Sequence, residues 1–134
     1  MQAVNANSRL LAASAALLAG AGVIAAAGPS ALSQTQGGLW EVSRSGSPPV
    51  RLCLANPQVL AQFEHRRASC SRTVLRDSGL SARIHYTCGG GGFGESNLTV
   101  VTPRSLRVET QGITGDGPFN YVFQARRVGD CPGH

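Results

Sequence analysis

From residue 38 onward, apolar and polar residues alternate along most of the chain, and turn-forming residues separate the alternating runs. A period of two is typical of strands that bury one face. Residues 38–43 predict a first strand, and Val50, Leu52 and Leu54 share one side of a second. The sequence Gly-Ser-Pro-Pro at 46–49 lies between them, so the two strands are expected to form a hairpin.

One segment departs from this period and predicts a short helix over residues 57–66. Asn56 is a residue type that caps helices, and Pro57 suits the first helical position. Leu60 and Phe63 lie on one side of that helix. We therefore expect the helix to lie over the sheet with this side buried.

Five further strands are predicted after the helix. Residues 70–76 and 80–88 flank the turn Asp77-Ser78-Gly79 and give the clearest hairpin pattern in the chain. The other strands are expected within residues 97–102, 106–110 and 119–125. Seven short strands with one short helix predict an all-β domain, an antiparallel meander curled into a small barrel or half-barrel.

The start of the chain differs in composition from the rest. Residues 10–28 are rich in Ala and Gly and follow a segment whose only charge is Arg9, which is typical of a secretory signal peptide. Small residues at Ala31 and Ser33 predict cleavage after residue 33, which gives a signal peptide over 1–33 and a single domain over 34–134. A second small-residue site, Ala25-Ala26-Ala27, leaves the position of the cut open.

The apolar run is only marginally hydrophobic for a transmembrane helix, although an uncleaved anchor is the alternative to a cleaved signal. The expected product is a periplasmic or secreted protein with no stable membrane anchor after cleavage. All of the chain's basic residues are arginines, which excludes a lysine Schiff base and a P-loop lysine.

The four cysteines, Cys53, Cys70, Cys88 and Cys131, all follow the export signal. An even number in an oxidising compartment predicts two disulfides. No two of them have the Cys-x-x-Cys spacing of a zinc knuckle, which disfavours a metal site. Three pairings are possible, and a meander in chain order favours Cys53 with Cys70 and Cys88 with Cys131.

The glycine-rich run Gly89-Gly-Gly-Gly-Phe-Gly94 has the letters of a dinucleotide-binding fingerprint. That site requires a following helix, whereas a strand is predicted here, so the run is interpreted as a loop or bulge. The histidines and acidic residues lack the spacing of catalytic or metal-binding motifs. We therefore assign no catalytic, cofactor-binding or metal-binding residue and expect a protein that is not an enzyme.

Arginine dominates the charge of the chain, whose formal net charge is +5. Arg83, Arg107 and Arg126 fall on the side of their strands opposite the apolar residues. They form a candidate anion-binding face for phosphate or carboxylate groups, the alternative being a face that serves only solubility. Nucleic acid is not an expected partner of an exported chain with few aromatic residues.

Residues at both ends of the domain carry a resemblance to a known family. Gly38-Leu-Trp-Glu41 and the closing Arg126-Arg-Val-Gly-Asp-Cys131 resemble the exported proteobacterial family catalogued as domain of unknown function thirty-six seventeen. The resemblance covers essentially residues 37–132. It implies a periplasmic β domain with no assigned activity.

Tyr86-Thr-Cys-Gly89 is similar to a strand of small periplasmic lysozyme inhibitors. A positively charged inhibitor would be repelled by lysozymes that are themselves basic. The sequence thus favours a non-enzymatic envelope module that binds an anionic envelope component or a periplasmic protein. The alternative is an inhibitor of a hydrolase such as lysozyme.

Overall fold

A computed structural model describes residues 28–133 together with the isolated pair Ala15-Ala16. Most of the predicted signal segment, 1–33, therefore lies outside the described residues, and only its last part, from Gly28, is within them. Within the described part of the chain, no helix has the length and hydrophobicity needed to span a membrane.

The described chain forms one antiparallel sheet with a helical segment packed on it. The strands are β1 (Gly38–Ser43), β2 (Val50–Leu54), β3 (Cys70–Asp77), β4 (Ser81–Cys88), β5 (Phe93–Thr102), β6 (Ser105–Thr114) and β7 (Gly117–Gly129). A one-turn helix, α1 (Ser30–Ser33), precedes β1, and a 3₁₀ helix (Pro57–His65) connects β2 to β3. The predicted all-β fold with seven strands and a short connecting helix is confirmed.

The spatial order of the strands is β2-β1-β7-β6-β5-β4-β3. Strands β3 to β7 follow one another as the predicted meander, while β1 pairs with β7 and β2 pairs with β1. Strands β2 and β3 form the two edges, so the sheet is open and not a closed barrel.

One face of the sheet, here called the inner face, carries the core. Trp40, Ile84, Leu98, Val108 and Phe123 are each at most 1 % exposed, and they occupy five different strands. The 3₁₀ helix covers this face and contributes Leu60, Ala61 and Phe63 to the same cluster. The intervening residues lie on the opposite, outer face, which is why the alternation of the sequence is visible in the burial of β4 to β6.

The connecting helix begins where the sequence predicts. The side chain of Asn56 accepts a hydrogen bond from the backbone N–H of Gln58 at 2.9 Å. Gln62 interrupts the helix with φ −125°, and its side-chain amide donates to the carbonyl oxygens of His65 and Ala68. Long 3₁₀ runs are uncommon, so this segment is better described as two short pieces joined at Gln62.

Both predicted disulfides are present, but the favoured pairing is wrong. Cys53 is bonded to Cys131, and Cys70 is bonded to Cys88. Cys70 and Cys88 are directly opposite each other in the β3–β4 register. Cys53 lies on β2 and Cys131 follows β7, two strands that only β1 separates. Chain order failed as a guide because β1 pairs with the last strand.

The glycine-rich run is a tight turn, as its sequence context predicts, and β5 begins within it at Phe93. Gly90 and Gly91 have φ values of +95° and +96°, a region that favours glycine. Gly94 lies against the Tyr86 ring, where an added Cβ would come within 2.4 Å of the hydroxyl oxygen. The repeated glycines are thus accounted for by the turn and by close packing.

Candidate functional site

The three arginines of the predicted anion-binding face all lie at outer-face positions, on β4, β6 and β7. Each is within ion-pair distance of a carboxylate: Arg83 of Glu95, Arg107 of Glu109 at 3.0 Å, and Arg126 of Glu41 at 3.8 Å. Strand β5 separates the first from the other two. The outer face therefore carries mixed charge, and an anion bound there would compete with carboxylates already in place.

Two other arginines lie near one another at the end of the 3₁₀ helix, and neither forms an ion pair within the described residues. The guanidinium of Arg44, just after β1, lies 4.3 Å from the centre of the Tyr121 ring. That of Arg66, just after the helix, lies 4.6 Å from the centre of the Phe63 ring. Stacking on an aromatic face orients a guanidinium without neutralising it.

Arg44 and Arg66 line a cleft of about 400 Å³ between the β1–β2 turn and the end of the helix. The apolar part of its lining comes from Val42, Pro48, Pro49, Val50 and Phe63. We call this site the arginine cleft. Its volume is in the range of sites for small molecules, and it combines apolar walls with a few charged groups, as such sites do.

Both guanidinium groups of the cleft retain hydrogen-bonding capacity. Arg44 donates from Nε to Ser47 Oγ at 3.2 Å, and Arg66 donates from Nη1 to the carbonyl oxygen of Phe63 at 3.1 Å. Since a guanidinium has five N–H donors, most of those on each group remain for a ligand. Planar pairs of such donors match the oxygen atoms of carboxylates and phosphates.

Glu64 is the acidic residue of the cleft lining. One of its carboxylate oxygens accepts a hydrogen bond from the hydroxyl of Tyr121 at 2.6 Å. Burial, together with this bond and the nearby Glu64 charge, raises the pKa of Tyr121 well above its ordinary value. Tyr121 therefore stays neutral at physiological pH, holds Glu64, and supports Arg44 on its ring face.

A second polar contact lies at the last residue of the 3₁₀ helix. His65 Nδ1 is 2.9 Å from the Tyr86 hydroxyl, and its Nε2 is buried against Gly92 without a hydrogen-bond partner within the described residues. Burial, with a smaller contribution from the Glu64 charge, raises the pKa of Tyr86 to about 12. The contact between His65 and Tyr86 joins the helix end to β4. Because burial raises the pKa of Tyr86, this hydroxyl stays protonated near neutral pH.

No ligand-binding role was predicted for Arg44 or Arg66 from the sequence. The position of Arg44 depends on a long-range contact. The pairing of β1 with β7 places Ser43 opposite Gln124, and this brings Arg44 near Tyr121. In the described ranges, 15–16 and 28–133, no group of three or more His, Cys, Asp or Glu residues is arranged to hold a metal ion.

A family model described as "Protein of unknown function (DUF3617)" matches residues 35–131. The matched residues include all seven strands, the four cysteines and the whole arginine cleft, and they begin after α1. No curated protein and no solved structure matches the chain. The family resemblance inferred from the sequence is thereby confirmed.

Proposed function

The chain belongs to the DUF3617 family, and we propose that it is an exported, non-enzymatic module that binds an anionic ligand in the arginine cleft. The observation that carries the proposal is the pair Arg44 and Arg66. Both are stacked on aromatic rings, both lack a carboxylate partner among the described side chains, and both face one cleft.

The lining of the cleft also indicates the class of ligand. Two arginines against one glutamate favour a negatively charged group, while the proline, valine and phenylalanine walls favour an apolar portion next to it. An envelope component that joins a phosphate or carboxylate to a hydrocarbon chain has both features. The outer-face residues Arg83, Arg107 and Arg126 are the less favoured site for such a ligand, because each is already within ion-pair distance of a carboxylate.

Export rests on two independent features. All four cysteines are in disulfides, which is consistent with an extracytoplasmic location. The apolar segment over residues 10–28 supplies the signal-peptide pattern. We place the protein in the periplasm or outside the cell.

Calorimetric titration with three matched probes tests the site. Hexyl phosphate carries both recognition features, inorganic phosphate only the charge, and hexanol only the apolar chain. We expect hexyl phosphate to bind more tightly than either of the others. The double variant Arg44→Ser/Arg66→Ser should weaken that binding at least about tenfold, since each hydrogen bond to a charged group contributes about 1.5–3 kcal/mol.

The matched control is the triple variant Arg83→Ser/Arg107→Ser/Arg126→Ser, which removes more positive charge but leaves the cleft intact. It should bind hexyl phosphate within about twofold of the unmodified protein, because exposed charges at a distance are screened by salt. Equal weakening in both variants, or no weakening in the double variant, would show that the cleft is not the site.

The lysozyme-inhibitor alternative makes a different prediction. An inhibitor would lower lysozyme activity when added at micromolar concentration, whereas a module that binds small anions should leave the rate of cell-wall hydrolysis unchanged. A dose-dependent decrease that survives Arg44→Ser/Arg66→Ser would favour the inhibitor.

A further inference from the structure

The segment before β1 is part of the folded domain, and from it we propose that the signal peptide is removed after Ala27, so that the mature protein begins at Gly28. In the sequence, two sites satisfy the small-residue rule, one ending at Ala27 and one at Ser33. The contacts made by residues 29–36 distinguish between them.

Cleavage after Ser33 would remove core residues. Ala31 is 0 % exposed and Leu32 is 4 % exposed, and both belong to the same buried cluster as Ile84 and Leu98. Helix α1, which carries them, contacts β4 and β5. A chain that began at Gln34 would lose the burial of Ala31 and Leu32 and would expose this part of the inner face to water.

The same segment is held by polar contacts to the β3–β4 turn. Ser30 donates from its backbone N–H to Asp77 Oδ2 at 2.6 Å and from its hydroxyl to Asp77 Oδ1 at 2.7 Å. The side-chain amide of Gln34 donates to the carbonyl oxygen of Gly79 at 2.7 Å. Cleavage after Ser33 would abolish both bonds from Ser30 and would place a new terminus at Gln34.

The segment continues directly into β1. The Gln36 N–H donates to the carbonyl oxygen of Pro103, and the Gln36 carbonyl accepts from the indole of Trp40 at 2.9 Å. An uninterrupted set of contacts therefore runs from Ser30 to the core tryptophan. Cleavage after Ala27 retains all of these contacts. Most of the segment 29–36 precedes residue 35, where the match to the family model begins.

The first test is the mass of the exported protein. The full chain is expressed with its leader in a bacterial host, and the intact mass of the periplasmic form is measured with its disulfides intact. We expect a chain that begins at Gly28. A start at Gln34, or a protein that keeps its leader, overturns the proposal.

Two matched variants locate the cut. Ala27→Tyr places a large residue immediately before the proposed site and should abolish the form that begins at Gly28. Ser33→Tyr makes the same change at an exposed position of α1 and should leave the start at Gly28. If Ser33→Tyr instead blocks processing while Ala27→Tyr does not, the cut follows Ser33 and the proposal is wrong.

Titration of Asp77 gives a readout that does not depend on the leader. Donation by the Ser30 hydroxyl and backbone N–H to the carboxylate favours its charged form and lowers the pKa of Asp77 from its ordinary value. In the exported protein, we expect NMR to show this lowered pKa, and Ser30→Ala should move it upward because the hydroxyl donor is lost. An ordinary Asp77 pKa that Ser30→Ala leaves unchanged would show that residue 30 is not docked in the mature protein.

Discussion

Replacing Cys53 and Cys131 together by serine is expected to lower the free energy of unfolding by about 4.5 kcal/mol. The estimate follows from the loop-closure entropy that the bridge removes from the unfolded chain, for a sequence separation of 78 residues. A loss of this size is a large part of the stability of a small domain. Urea denaturation of the oxidised proteins, with and without the bridge, measures it.

The position of the Cys53–Cys131 bridge in the sheet is the reason why we expect its removal to lower the free energy of unfolding by this full amount. Cys53 is on β2, an edge strand of five residues that pairs only with β1. Cys131 follows β7, so the bond ties this edge strand to the chain beyond β1. Without this disulfide, β2 is attached to the sheet mainly by its pairing with β1.

The second bridge is the matched control. Cys70 and Cys88 are separated by only 18 residues and already face each other in a hairpin. Loop-closure entropy therefore predicts a smaller loss of about 3 kcal/mol for Cys70→Ser/Cys88→Ser. If removal of the short-range bridge destabilised the protein more than removal of the long-range bridge, the entropic explanation would be wrong.

Truncation of Trp40 is expected to cost about 3–5 kcal/mol in Trp40→Ala, the range for a large aromatic residue removed from a packed core. The side chain is 0 % exposed on β1, and its indole N–H donates to the carbonyl oxygen of Gln36. The change leaves a cavity on the inner face and deprives that carbonyl of its donor. The urea midpoint should fall accordingly.

Two control variants accompany this measurement, one that keeps an aromatic ring at position 40 and one that changes an exposed apolar residue. Trp40→Phe keeps an aromatic ring but loses the indole donor, so a smaller loss of about 1–3 kcal/mol is expected. Leu75→Ala removes an apolar side chain that is 52 % exposed on the edge strand β3, and it should change stability by less than about 0.5 kcal/mol. A Trp40→Ala protein as stable as Leu75→Ala would contradict the assignment of the core.

The alternation of apolar and polar residues was sufficient to predict the strands and the buried face. In β4, for example, Ala82, Ile84 and Tyr86 are buried and the residues between them are more exposed. The cap at Asn56 and the proline after it likewise located the start of the helix. These features are local, because a side chain's direction along a strand depends only on its position in that strand.

The partners of each strand are not a local property, and there the sequence was insufficient. Pairing of β1 with β7 joins residues nearly a whole domain apart, and no turn or periodicity in either strand indicates it. The disulfide pairing and the arginine cleft both depend on that contact. The sequence could place Cys53 on the outer side of β2, but it could not show that Cys131 lies across β1 from it.

For the arginines, too, the sequence predicted the local placement but not the tertiary contacts. The period of two predicts outer-face positions for Arg83, Arg107 and Arg126, and all three lie there. It does not show that Glu95 lies beside Arg83, or Glu41 beside Arg126, because each of these carboxylates is on a neighbouring strand. Arg44 follows β1 and Arg66 follows the 3₁₀ helix, although the sequence predicted Arg66 as the last residue of that helix. The period of one element does not relate either residue to the other. Their importance as a pair emerges from tertiary packing against Tyr121 and Phe63.

The most direct test of ligand binding in the arginine cleft is an NMR titration of the mature protein with hexyl phosphate, following the arginine Nε–H and backbone amide signals. We predict that the largest shifts occur at Arg44, Ser47 and Arg66, which line the cleft, and that they saturate together as one site. Larger shifts at Arg83, Arg107 and Arg126, or small shifts spread over the whole surface, would contradict it.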